Sequence, residues 1–239
     1  MKQTGLLISA PQPLDYIMGF ESPIKVIDRT NDWTPYLPTI EKQYKDASFD
    51  TMSCVTFSAL NCIEIQVKWL LENKKIDINK LKELGFIDEN NNFNCSDRFT
   101  AIMSGTTQRG NYFYKVWDII RSQGLLPEKD FPFGGNTWEE YHNPILITEA
   151  MKIKAKKILD ILTFTYEWCL FDNEPDLSDR ECLNIIQGLK QAPLQIGVPI
   201  PARHAITLFE IKDKNYKVFD HYPPYIFNNN DELRNKIQF

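Results

Sequence analysis

Apolar residues recur at helical spacing through the middle of the chain. Val55, Ala59, Ile63, Val67 and Leu70 fall on one face and predict a long helix over about 54–73. Loop-forming residues 46–51 precede it, and Ser53 stands where an N-cap is expected. Shorter helices are predicted at 79–84, ended by Gly85; at 97–104, opened by Ser96-Asp97-Arg98; and from Tyr112 to Ser122, stopped at Gly124. Residues 144–160 read as mostly helical, and 104–111 is a polar loop with two glycines. After Gln191 the character changes: 194–199 alternates as a strand does, 205–211 is a second apolar run, and 216–219 returns as a third strand after a turn at Asp213-Lys214-Asn215. Prolines at 11, 13, 23, 35 and 38 make the first 50 residues an extended, loop-rich lead-in. Helices first and strands last predict an α+β protein of two packed lobes.

The length of 239 residues suffices for one large domain or two fused lobes. A composition of 43% hydrophobic and 25% charged residues is that of an ordinary globular chain. The net charge of −5 gives no reason to expect a nucleic-acid partner, and the basic run Lys152–Lys157 reads as a solvated helix face. Five cysteines (54, 62, 95, 169 and 182), an odd number without a CxxC, argue against a disulfide framework and a structural zinc site. No metal or cofactor is expected. No segment is expected to approach the roughly 18 apolar residues that span a bilayer. Residues Met1–Pro11 are too short for a signal-peptide core, so the expectation is a soluble, cytoplasmic product without a membrane partner.

One cysteine carries candidate chemistry. Cys54 opens the long helix, where the helix dipole and unpaired amides favour the thiolate, the nucleophilic form. Against this stands the ordinary role of cysteine as a small buried hydrophobe, the reading given to the other four. The three histidines differ in context. His142 lies in a polar stretch and reads as a solvated loop residue. His204 opens an apolar strand, and Asp220 ends the next, so a hairpin would bring them together across sixteen positions. A carboxylate there would orient the ring toward a thiol. His221 reads as structural, or as a fallback partner if Asp220 points away.

In order along the chain, these blocks resemble the papain-like cysteine proteases. Ser53-Cys54-Val55-Thr56-Phe57-Ser58-Ala59 resembles the family's Cys-Trp-Ala-Phe-Ser-Ala block, and His204-Ala205-Ile206 its His-Ala-Val strand. Residues 120–133 resemble its helix, Gly and E-x-D-Y-P-Y passage, and 189–198 its G-P-V-S-V-A strand. The matches span roughly residues 33–222, and 150 residues separate Cys54 from His204.

The resemblance implies a two-lobe fold at 33–239, with a helical lobe at about 50–150 and a β-rich lobe at about 151–225 plus part of the N-terminal segment. Residues 1–32 form an N-terminal extension able to cover a cleft. It implies a hydrolase that cuts peptide bonds through Cys54, His204 and Asp220 and a thioester intermediate, acting on a peptide or protein. An oxyanion glutamine is implied about six residues before the cysteine, where Ser48 stands; Gln43, eleven before, keeps the role if the loop carries an insertion. The loop with Ser104, Gly105, Gly110 and Asn111 is implied to bind substrate.

Departures are Val55 for the usual tryptophan, Thr51 for a disulfide cysteine, Asp220 for asparagine, and no recognisable pro-region before Trp33. Arg203 is expected to disfavour the His204 imidazolium. These motivate the alternatives, a papain-fold protein with a binding or structural role, or a peptidoglycan amidase or endopeptidase. A microbial or phage-type setting, in host cytoplasm or virion, is suggested by resemblance alone.

Overall fold

A computed structural model describes residues 5–11, 15, 31–46, 48–170, 177–198, 203–212 and 215–229. Short strands β1 (Tyr44–Lys45) and β2 (Phe49–Asp50) form a small hairpin. The helices follow as α1 (Cys54–Glu72), α2 (Ile78–Leu84), α3 (Asp97–Met103), α4 (Phe113–Gln123), α5 (Trp138–Tyr141), α6 (Glu149–Lys156) and α7 (Asp179–Leu189). A four-stranded antiparallel sheet closes the described chain, in the order β3 (Leu194–Val198), β4 (His204–Lys212), β5 (Asn215–Phe219) and β6 (Ile226–Asn229). The mixed helix-and-sheet architecture is the α+β class expected from the periodicity.

Helix boundaries have local chemical causes. Asp77 caps α2 through the Asn79 amide, and Gly85 ends it in the left-handed region at φ 93°. Ser96 caps α3 through the Phe99 amide. Helix α7 and strand β6 were not anticipated. For α7 a signal was present, because Ser178 and Glu181 form a reciprocal capping box of the S-x-x-E kind.

Helix α1 is the seam of the molecule. Val55, Ala59, Leu60, Ile63 and Val67 pack in one core with Leu81, Phe113, Val116 and Ile120 from the other helices. Ile65 belongs to a second core with Trp33, Ile185, Ile196, Leu208 and Val218. A helix shared by two cores must be apolar nearly all round. That corrects the expectation that no segment has membrane length: α1 has 19 residues and a mean hydropathy of 1.2, yet 72% of that window is buried inside the protein. It is a core helix. Strand β4 is buried from His204 to Glu210 and lies between β3 and β5, with Val198 opposite His204 and Thr207 opposite Phe219. The expected turn at 213–214 falls outside the described residues.

Candidate active site

Cys54 is the first residue of α1 and is fully buried. Ser53 does not cap the helix, contrary to expectation. Its hydroxyl instead donates to the Thr51 carbonyl at 3.1 Å. The first amides of a helix have no intrahelical acceptor. With Ser53 turned away, no side chain caps this end; the Ser53 carbonyl takes the Thr56 amide at 2.8 Å and the Phe57 amide at 3.1 Å. None of the five cysteines forms a disulfide. Burial pushes the Cys62 and Cys169 thiols up to about 12 and Cys95 well above the ordinary range, so these three stay protonated packing groups.

His204 Nε2 lies 2.7 Å from Asp220 Oδ1. The β4–β5 register explains the meeting. Continued past Phe219 it sets Asp220 opposite Ile206, on the same sheet face as His204. Asp220 Oδ1 also accepts the His221 amide at 2.6 Å, which fixes the carboxylate. Nδ1 of His204 closes no bond of good geometry, yet the Cys54 thiol is near enough to stabilise the protonated ring. Burial works against that charge. The hydrogen bond and charge of Asp220, together with the nearby Cys54 thiol, outweigh it and raise the His204 pKa to about 10. The direction is opposite to the one expected from Arg203.

The β1–β2 hairpin contracts the eleven-residue interval before Cys54. The Thr51 amide donates to the Gln43 carbonyl at 3.0 Å, so residues 44–50 loop out and Gln43 returns to the thiol end of α1. Gln43 is fully buried. Its Nε2 donates to Tyr222 Oη at 2.8 Å and to Asp50 Oδ1 at 3.2 Å. Ser48 sits exposed in the hairpin turn. Tyr222, which sequence reasoning missed, lies with its ring centroid 5.4 Å from that of His204.

The other two histidines are neutral structural groups. His221 receives Asn61 Nδ2 on Nε2 at 2.8 Å and donates from Nδ1 to the Glu41 carbonyl at 2.9 Å. His142 is a correction: it is 8% exposed, stacks on Trp138 at 4.4 Å, and donates Nε2–H to the Thr51 carbonyl at 2.7 Å. Burial lowers both to about 4. Trp138 lies one helical turn before His142, within the same polar stretch, whereas its hydrogen-bond partner Thr51 lies 91 positions away.

In the 104–111 loop, Ser104, Thr106 and Asn111 are buried while 107–109 are exposed. Asn111 Nδ2 donates to Ser104 O at 3.2 Å and Ser104 Oγ at 3.0 Å, while Gly105 is exposed. The loop's backbone is already paired with the chain's own N-terminal segment. The Asn111 amide donates to Gly5 O and the Leu7 amide to Asn111 O, both at 2.8 Å. Gly110 (φ 97°) has no room for a side chain, because a Cβ would lie 1.7 Å from Gly5 O. Gly5 also abuts Met52, two residues before Cys54, and the Leu6 amide donates to the Arg203 carbonyl at 3.3 Å. The segment thus passes beside both Cys54 and His204. Among the described residues, no group of three or more His, Cys, Asp or Glu side chains is arranged to hold a metal ion.

No protein-family model matches the chain, and no curated protein matches its sequence. Solved structures do. Xylellain, a cysteine protease from Xylella fastidiosa, aligns at TM-score 0.57 and 14% identity over 99% of this chain and 88% of its own. Digestive procathepsin L 3 of Tenebrio molitor larval midgut aligns at 0.54 and 11%, over 99% and 75%. The proform of the ragweed pollen cysteine protease Amb a 11 aligns at 0.50 and 15%, over 92% and 63%. At these identities the likeness speaks to the backbone, and in its backbone this chain has the papain-like fold of the cysteine proteases.

Proposed function

We propose that the chain is a cysteine peptidase acting on peptide or protein substrates. The observation that carries the reading is the convergence of Cys54, at the uncapped start of α1, with a His204 ring oriented by Asp220 at 2.7 Å. Cys54 attacks the substrate carbonyl as a thiolate, and the His204 imidazolium protonates the leaving amine, leaving a thioester. Water, deprotonated by the now neutral ring, hydrolyses the thioester and regenerates the thiol. The Cys54 amide and the Gln43 carboxamide are the oxyanion donors. The expected result is that a peptidyl epoxide labels the wild type and that Cys54→Ala abolishes both labelling and hydrolysis of a denatured protein. Equal labelling of the two removes Cys54 from the role. Digestion of purified cell wall in place of denatured protein would redirect the substrate to peptidoglycan peptides.

A second reading, binding without turnover, is favoured by the N-terminal segment paired on the Asn111 loop. A chain that labels at Cys54 yet cleaves nothing, even after residues 1–11 are removed, would support it.

A further inference from the structure

We propose that Asp50 and Tyr222 form a clamp that positions the Gln43 carboxamide beside Cys54. The proposal rests on the peptidase reading above, in which that carboxamide is an oxyanion donor. Asp50 and Tyr222 are positioning residues, since they act through Gln43.

A carboxamide can rotate end for end at little cost, and an oxyanion donor is useful only with its N–H side presented. Asp50 decides the orientation. A flipped amide would set Gln43 Oε1 against the Asp50 carboxylate, two acceptors with no hydrogen between them. The carboxylate is itself fixed, because Oδ1 accepts the Met52 amide at 2.8 Å and Oδ2 accepts the Tyr222 hydroxyl. That hydroxyl, having donated to Asp50, is left as an acceptor for Gln43 Nε2 at 2.8 Å. The three groups thus form one directional chain of hydrogen bonds, each fixing the next. Burial, reinforced by Asp50, raises the Tyr222 pKa and keeps the phenol a donor.

Tyr222 is held in turn by two rings. Tyr44 of β1 stacks on it at 5.4 Å with an interplanar angle of 3°, and the His204 ring lies tilted against it at 5.4 Å. Asp50 precedes α1 whereas Tyr222 follows β5, so the clamp ties the thiol side of the cleft to the base side. Both Gln43 amide hydrogens are engaged, and the Asp50 bond, at 3.2 Å, is the longer. That is the hydrogen an oxyanion would share.

The test is a double-mutant cycle on the full chain with Tyr222→Phe and Gln43→Ala, using a peptidyl aminomethylcoumarin substrate. Tyr222→Phe is expected to lower kcat about tenfold or more with KM within about twofold. In the Gln43→Ala background it is expected to add less than about twofold. Cys54 alkylation by iodoacetamide should keep its pH profile, because the thiol and His204 are untouched. Exchange of the Gln43 side-chain NH2 protons, read by 15N NMR, should accelerate about tenfold or more. Multiplicative losses, a displaced alkylation profile or unchanged NH2 exchange would each overturn the clamp. If the wild type alkylates at Cys54 but hydrolyses no peptide, the peptidase reading fails, and the exchange measurement alone then decides the clamp.

Discussion

His204 is a buried base whose neighbours reverse the effect of its burial. Burial alone would lower its pKa, while the Asp220 and Cys54 side chains raise it to about 10. Removing either partner should therefore bring the ring back toward neutrality at ordinary pH. In Asp220→Ala, the His204 ring titration followed by 13C NMR is expected to fall below 8, and peptide hydrolysis to drop about 10- to 100-fold. A ring that titrates unchanged would acquit the carboxylate. His142 and His221 make the contrast: burial lowers both to about 4, and no carboxylate side chain hydrogen-bonds either ring among the described residues.

At the scale of elements, the segment Gly5–Leu7 behaves as a strap laid over one edge of the site. It is held by backbone bonds to Asn111 and Arg203 and by Leu6, which is 4% exposed. Two glycines make the approach possible. A Cβ on Gly110 would meet Gly5 O at 1.7 Å, and one on Gly5 would meet Met52 O at 2.5 Å. Gly5→Ala and Gly110→Ala, acting from opposite sides, are both expected to release the strap and raise the Cys54 alkylation rate several-fold. Each also costs about 1 kcal/mol or more, because alanine is strained at positive φ. Deleting residues 1–11 supplies the same release without that strain. Unchanged alkylation in all three would mean that the strap does not guard the thiol.

Across the whole molecule, buried carboxyls set the response to pH. Burial raises Glu64 and Asp97 well above the usual carboxylate range and Glu128 to about 8, with Glu41 reinforcing all three. Each is protonated in the fold at pH values where the unfolded chain would be ionised. Their contribution to stability is whole below the unfolded values, 3.8 for Asp97 and 4.5 for the two glutamates, and is lost as pH rises through the folded ones. His204 behaves alike between 6.5 and about 10. His142 and His221, lowered to about 4, contribute fully above 6.5 and lose that contribution as pH falls toward 4. Above pH 6.5 His142 and His221 are constant while the groups with raised values all act in one direction, so the urea midpoint is expected to fall as pH rises toward 10. Glu128→Gln, which keeps an acceptor for the Phe133 amide, should flatten the fall between 6.5 and 8 by on the order of 1–2 kcal/mol. An unaltered slope would show that Glu128 is ionised in the fold.

What the sequence determined by itself was whatever has a short period. The 3.6-residue spacing from Val55 to Val67 specified α1, alternation specified β3, and a short apolar run and its return after a turn specified β4 and β5. Strand register then brought His204 to Asp220, because two strands joined by a short turn leave little freedom in which residues meet. The Ser178–Glu181 box that opens α7 was equally local and readable. Tertiary structure alone decided the rest. It gave the His142 ring its hydrogen-bond partner, the Thr51 carbonyl 91 positions away. It returned Gln43 to Cys54 by looping out 44–50, and it brought Tyr222 onto Asp50 across 172 positions. It also seated Gly5 against Asn111. The physical reason is one of range: periodicity records which face of an element is apolar, whereas a loop's closure and a buried group's partners depend on chain segments that meet only when the cores form.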